Sequence, residues 1–375
     1  MAEASRQDEL KYEISLTALK EMGYSAICVG EKDLLLGIDY LKYVQQSSST
    51  PLLACNLVNQ GKVIFSPYLL KTYKVDSTQL RVAVIGVISK AFEEFIKNAD
   101  AVPSVKRPSA NSLELLKPEV AIRLLIEQLE NKADLIILLA HVSIEEAKGL
   151  ASMFPQVNVI IAGHEQQVPL TKPLHEGDCI ILNAGTEGKY VGKMEMIVAS
   201  TGKRKVIVET NHQMIALTDK IPDSPLMTEL MSLYQQMLEA EDLVHKVKKV
   251  SPDSEGTYVG SERCRSCHEE IYLEWEKSAH SHVYATLVKR KRNLDPECVQ
   301  CHVTGFRYQT GFVDTQKTPA LANVGCESCH GVGSNHVKNL KNGYGQTKKE
   351  ICRTCHTPQK SPKFNYVEYL SKNSH

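Results

Sequence analysis

Eight of the eleven cysteines in this 375-residue chain fall into four pairs of one spacing: Cys264/Cys267, Cys298/Cys301, Cys326/Cys329 and Cys352/Cys355. Each pair is followed at once by a histidine: His268, His302, His330 and His356. Two thiols so spaced stand about one helical turn apart. They can reach the two vinyl groups on one edge of a porphyrin, and the adjacent imidazole then falls beneath the iron. This is the attachment pattern of haem c, with the histidine as proximal ligand. Zinc and iron–sulfur sites also use such cysteine pairs, but a four-cysteine zinc site needs no histidine after the second cysteine, and here every pair has one. The pattern predicts four covalently held haem c groups. The remaining histidines after residue 257 are His280, His282, His336 and His375, four candidate distal ligands for four irons. An iron left without one would be open to a small molecule.

A second set lies in the first two thirds: Gly30-Glu31-Lys32-Asp33, Ala54-Cys55-Asn56, His141 and Gly163-His164. Each follows an apolar run that reads as a strand, and functional residues of α/β folds gather at the carboxyl ends of strands. The isolated Cys28, Cys55 and Cys179 read as buried, inert thiols.

The elements that must position these residues differ along the chain. From residue 10 to about 210, helical stretches (Leu35–Val44, Glu119–Leu129, Ile144–Met153) alternate with apolar strands. The strands are Ser25–Val29, Leu52–Asn56, Val82–Ile88, Leu135–Ala140 and Val157–Ala162. The alternation predicts an α/β domain over 1–215. Three later strand-like segments, Cys179–Asn183, Gly192–Ser200 and Lys205–Glu209, suggest an antiparallel portion. Residues 216–256 read as a helical linker, with a helix over Ser224–Lys248 and a boundary at 251–256. Residues 257–375 are too few to enclose four porphyrins in a large side-chain core, so a small, mainly α-helical domain is expected, with the cofactors supplying much of the interior. Short helices are expected over Glu269–Leu287. The run Lys289-Arg290-Lys291-Arg292 is a solvated face, a docking patch for an acidic redox partner, or a counterweight to haem propionates. After residue 250 there are 17 basic and 13 acidic side chains.

The C-terminal region resembles the multihaem cytochromes of the cytochrome c-552/c-554 family. The matching residues are Tyr258-Val259-Gly260-Ser261, Glu274-Trp275, Ser278-Ala279-His280, and Pro296-Glu297-Cys298 through Cys301-His302-Val303-Thr304-Gly305. They continue with Gly325 to Gly331, Gly333 to His336, and the Cys352–His356 motif with Ser361-Pro362. The resemblance covers essentially all of 257–375. It implies periplasmic electron transfer between redox partner proteins. His280 and His336 match the family's distal positions best, His375 is a further match, and His282 has no clear counterpart.

Residues 10–215 resemble the 5'-nucleotidase branch of the calcineurin-like metallophosphoesterases. Met22 to Ala26 with Val29-Gly30 matches the strand leading to that family's first histidine motif. Leu53–Asn56, Leu139-Ala140-His141, Ile160–His164, and Asn183-Ala184-Gly185 with Lys189 to Gly192 match later segments. The departures matter. The family's dinuclear metal chemistry needs a bridging carboxylate and a full set of histidine and asparagine ligands. The two N-terminal ligand strands are absent, Glu31 and Lys32 stand where asparagine and the catalytic histidine belong, and Gln166 replaces a second histidine. His141 and His164 are the surviving matches. The resemblance therefore implies a degenerate, inactive phosphoesterase fold, with room for one divalent metal on His141, His164 and Glu31 or Asp33. Missing first strands would expose an apolar sheet edge.

Lysine plus arginine equals aspartate plus glutamate at 44 each, which argues against nucleic-acid binding by bulk charge. No apolar run is long enough for a transmembrane segment. Haem attachment requires export, yet MAEASRQDEL is no signal peptide. An extracytoplasmic location and a longer natural N-terminus are the expectation. Beside electron transfer stand two other functions: a metal-dependent phosphoester hydrolase fused to a cytochrome, and a haem enzyme acting on a small nitrogen or sulfur species at an open iron.

Overall fold

A computed structural model describes residues 5–75, 78–98, 113–164, 168–201, 204–252, 255–340, 344–345, 347, 349–358 and 360–371. The chain divides into two compact units, Met1–Leu230 and Met231–His375. Among the described residues no helix is long and apolar enough to cross a membrane.

The first unit is α/β. Its helices are α1 (Arg6–Glu21), α2 (Ile38–Ser48), α3 (Glu93–Asn98), α4 (Pro118–Leu129) and α5 (Ile144–Met153). Its strands are β1 (Ile27–Cys28), β2 (Leu52–Leu53), β3 (Leu57–Asn59), β4 (Lys62–Val63), β5 (Tyr68–Val75), β6 (Thr78–Ile88), β7 (Leu113–Leu115), β8 (Leu135–His141), β9 (Val159–Ala162), β10 (Leu174–Glu176), β11 (Cys179–Leu182), β12 (Tyr190–Thr201) and β13 (Arg204–Ala216). The main sheet runs β10-β11-β9-β8-β6-β5. Its four central strands are parallel and its two edges antiparallel. Parallel strands covered on both faces read as unbroken apolar runs, which is why β8 and β9 were legible. Twenty-two buried side chains from this sheet, α4 and α5 form one core cluster, and thirteen around β1, β2 and α2 form another.

Beyond the end of β5, the free edge of β6 is taken by the segment after β2, whose Cys55 N–H donates to the Gly86 carbonyl at 2.7 Å. Gly86 is required there, because a Cβ would run into the Leu53 backbone. β1 pairs in parallel with β2, so the ends of β1, β8 and β9 come out on one side. β12 and β13 form a separate long ribbon. Large apolar side chains are exposed on it (Ile197, Val208) and on edge strand β5 (Tyr73, Val75).

Two expected elements differ. The helix expected over Leu35–Val44 begins at Ile38, after a 3-10 turn over Asp33–Leu36 and Gly37 at φ +87°. The helix expected over Ser224–Lys248 breaks into α6 (Pro225–Ala240) and α7 (Leu243–Lys246), because Asp242 adopts φ +51°.

The second unit begins within α6, includes α7, and continues in short helices: α8 (Ser261–Arg265), α9 (Glu269–Glu276), α10 (Val283–Lys289), α11 (Pro296–Val299), α12 (Cys326–His330), α13 (Ser334–Lys338), α14 (Lys349–Arg353) and α15 (Tyr366–Ser371). Its core cluster has seven buried residues: Val244, Leu287, Val299, Val303, Phe306, Phe312 and Leu321.

Candidate functional site

In the second unit each cysteine pair sits on one tight turn. The His268 N–H donates to the Cys264 carbonyl at 3.0 Å and the His356 N–H to the Cys352 carbonyl at 2.9 Å. Helix α12 carries the whole Cys326–His330 motif. The local helix thus presents both thiols and the imidazole of a motif to one side, as porphyrin attachment requires.

Three of the four motif histidines are held by the nitrogen that an iron would not use. Nδ1 of His302 meets the Val283 carbonyl at 3.1 Å, that of His330 the Gly345 carbonyl at 2.8 Å, and that of His356 the Ser361 hydroxyl at 3.1 Å. A carbonyl can only accept, so Nδ1 is the donor in His302 and His330, and in the neutral ring this tautomer leaves the lone pair on Nε2. Metal-ligating histidines are oriented in this way. Burial also lowers the His356 pKa, favouring the neutral, ligating form.

Two of the distal candidates face motif histidines. The His268 and His336 ring centres are 6.4 Å apart, and those of His280 and His356 are 6.2 Å apart. Two imidazoles on opposite faces of one metal, each bonded through nitrogen at about 2 Å, have ring centres roughly 6 Å apart. The residues present therefore fit bis-histidine haem, with the ligands of one iron drawn from distant segments of chain. Beside the first pair is a cavity of about 410 Å³, lined by Cys267, His268, Trp275, Cys326, His330 and His336 among others. The other two candidates lie elsewhere. His282 is exposed at the start of α10, and His375 is outside the described residues.

The motifs adjoin in a definite order. The Cys264 thiol neighbours that of Cys326, the Cys301 thiol neighbours that of Cys355, and Cys329 lies within electrostatic reach of Cys352 and Cys355. The order in space is first, third, fourth, second. Burial pushes the Cys298 and Cys329 thiols up to about 11.

Sequence reasoning missed Glu327, which lies between the cysteines of the third motif. It is 2% exposed, and its carboxylate accepts from the backbone N–H groups of Val259 (3.0 Å), Gly260 (2.7 Å) and Gly333 (2.7 Å). Burial raises its pKa, and these bonds oppose the rise. One carboxylate thus ties the loop before α8, which carries Cys264, to the loop before α13, which carries His336. Nothing in a position between two motif cysteines signals that role. Tyr344 and Phe364 were missed too; their rings stack on His336 (4.9 Å) and His356 (4.6 Å).

In the first unit the strand ends bring Glu31, His141 and His164 together, with one donor atom from each within 4.8 Å of the others. His141 Nε2 contacts a Glu31 carboxylate oxygen directly. Phe92 walls the site, its ring 5.2 Å from that of His141 and 4.6 Å from that of His164. Gly30 leaves room for the His141 ring, which a Cβ there would approach to 3.3 Å. Burial pushes the buried Glu31 carboxyl up, but the hydrogen bond and charge of His141 outweigh it, and its pKa is lowered. A carboxylate and two imidazoles are a donor set suited to one transition metal. Asp33 is not in the cluster. Its carboxylate accepts from the Gly30 N–H at 2.7 Å, and burial raises its pKa. Lys32 is exposed. Asn56 is consumed by backbone, donating to the Ile88 (2.7 Å) and Leu116 (2.9 Å) carbonyls and accepting from the Ile88 N–H (2.9 Å). Gln166 lies outside the described residues.

Comparison with known proteins separates the two units. Residues 263–331 match the family described as cytochrome c554 and c-prime. The curated cytochrome c-554 of Nitrosomonas europaea is 35% identical over 97 residues, which is 22% of this chain. The chain spans 41% of the length of that relative. The first unit has the fold of calcineurin-like phosphoesterases. The solved structure of the calcineurin-like phosphoesterase YfkN from Bacillus subtilis superposes with a TM-score of 0.52 at 15% identity, covering 62% of this chain and 77% of that one. The sulfate thiohydrolase SoxB of Thermus thermophilus gives a TM-score of 0.50 at 16% identity, covering 66% of this chain and 42% of that one.

Proposed function

We propose that the second unit is a tetrahaem electron-transfer module and that the first is a phosphoesterase-like scaffold without hydrolase activity. The observation that carries this is the pairing of motif and distal histidines, His268 with His336 and His280 with His356, at the spacing of a six-coordinate iron. In this reading the eight paired cysteines attach the porphyrins and His268, His302, His330 and His356 are the proximal ligands. When bound, the haems supply reversible one-electron chemistry. The chain's part is to fix ring orientation through the Nδ1 contacts, to hold the groups close together, and to keep water from them. Covalent haem implies an extracytoplasmic location, and the partners are a redox donor and acceptor. A pyridine haemochrome assay on protein from a host with haem-ligation machinery should give four haem c per chain. A colourless protein containing zinc would sink the proposal.

The Glu31, His141 and His164 cluster favours one addition: a single divalent metal bound in the first unit. Three ligands hold one ion, not the two metals that clamp both oxygens of a phosphoester displacement. Dialysed protein should retain about one metal per chain, lost in His141→Ala, and should not turn over a chromogenic phosphate ester. Turnover abolished by His141→Ala would instead establish a hydrolase.

A further inference from the structure

The array of motifs has two ends, and they differ in charge. Around the first motif, residues 261–277 hold five acidic side chains against three basic ones. Glu269, Glu270, Glu274 and Glu276 are all exposed there. Around the second motif, residues 289–307 hold five basic side chains against two acidic ones, and one of the two, Asp295, is buried. A chain of neutral overall balance thus carries opposite local charge at the two termini of its motif order.

The basic end is built next to the second motif. The amino end of α10 holds His302 through the Val283 carbonyl. Its carboxyl end, roughly 10 Å further along the helix, runs straight into Lys289, Arg290 and Lys291, all exposed. Lys291 adopts φ +54°, so the chain turns there instead of extending the helix. Arg292 is partly neutralised by Asp295 at 3.9 Å. Two more exposed cations flank the motif. Arg307 bonds Gln300 at 2.6 Å, and Lys360 lies within electrostatic reach of the Cys298 and Cys301 thiols. Five of these six cations are exposed. Charge gathered in this way around one motif raises the encounter rate of an oppositely charged protein by 10- to 10³-fold, with steep dependence on salt.

We propose that the cations at the end of α10, with Arg307 and Lys360, form the docking surface for an acidic redox protein that exchanges electrons with this chain through the second motif. This rests on the tetrahaem reading above. The exchange moves one electron from the reduced partner to a ferric haem, with no bond or proton changing hands. Opposite charge at the other end would keep the same partner away from the first motif, giving the wire a direction through partner choice.

The test uses the full haem-loaded chain and a small acidic [2Fe–2S] ferredoxin as probe, with Lys289→Glu, Arg290→Glu and Lys291→Glu combined. Calorimetry with oxidised ferredoxin should show binding that weakens with salt and is reduced at least tenfold in the variant. Stopped-flow reduction by reduced ferredoxin should slow by at least tenfold, while reduction by uncharged photoreduced lumiflavin stays unchanged. Salt-independent ferredoxin binding, or equal binding by the variant, would overturn the proposal. So would an unchanged ferredoxin rate with a shifted reduction potential, which would make the run a propionate counterweight. So would loss only of binding to anionic phosphatidylglycerol vesicles, which would make it a lipid contact. Failure of the underlying reading is distinguishable beforehand, as a haem count other than four.

Discussion

Among the described residues, the first unit places thirty-five buried side chains in its two core clusters, and the second places seven in one. The second unit is shorter, 145 residues against 230, but length does not account for a fivefold difference. The first unit fills its interior with the faces of parallel strands and amphipathic helices. Past α6, the second ends its helices within eight residues and gives much of its chain to loops that carry thiols and imidazoles. At about 25 cal/mol per Å² of buried apolar surface, a seven-residue cluster offers little against the entropy of ordering the chain. The comparison teaches where each unit's stability resides: in side-chain packing in one and, on the tetrahaem reading proposed above, in a covalent cofactor in the other.

The widest break between the two would come from withholding haem. The full chain expressed without haem-ligation machinery should keep residues 1–230 resistant to limited proteolysis while 231–375 is digested. Equal protection of both units would end the distinction. A smaller effect separates the units by one side chain. Glu327→Ala leaves three backbone N–H groups without this acceptor, and the two buried ones, of Gly260 and Gly333, cost about 1–3 kcal/mol each. It also frees the His336 loop from the Cys264 loop. The expected outcome is a new high-spin signal from one haem of the four, with thermal unfolding of the first unit unmoved. Glu327→Gln, which keeps the acceptor oxygen, should restore much of the low-spin signal. Loss of all four haem signals together would mean that the residue serves general folding and not one ligand. The reciprocal change is Ile122→Ala, which empties a fully buried position on α4. It should cost the first unit about 2–5 kcal/mol, measured by far-UV circular dichroism, and leave the haem spectrum as it was.

How much of this was legible follows the same division. The parallel strands β6, β8 and β9 announce themselves as apolar runs, and their carboxyl ends led directly to His141 and His164. Edge strand β5 did not, because its residues 70–75 are exposed and mostly alternate without an apolar face. In the second unit the candidate attachment residues stand out by spacing alone, since covalent attachment would demand closely spaced positions. The pairing of His336 with His268 and of His280 with His356 does not, because each joins residues about seventy positions apart. Glu327 had no signal either. Its function is to accept from backbone N–H groups, which any sequence supplies. Glu31 and Asp33, offered by the sequence as alternatives, are separated only by the fold: Glu31 joins the histidines, and Asp33 turns to its own loop's N–H.

The finest test of the comparison is electrostatic. Asp134, just before β8, accepts from the Arg81 backbone N–H at 2.7 Å and from its guanidinium at 3.1 and 3.2 Å, joining the starts of β6 and β8. Burial pushes its carboxyl up, but the Arg81 hydrogen bonds outweigh this, and its pKa lies below the usual value. A depressed folded-state pKa means that the unfolded chain binds the proton more readily. The contribution is therefore present above the unfolded value near 3.9 and is lost as pH falls through the folded value. Because Arg81 is 43% exposed, solvent screening holds the effect to about 1 kcal/mol. Asp134→Asn should thus destabilise the first unit by about that much at pH 7, and the gap from the natural chain should close in acid. An unchanged gap at low pH would assign the loss to geometry instead of charge. A change in the haem spectrum of the second unit would show that the two units do not draw their stability from separate sources.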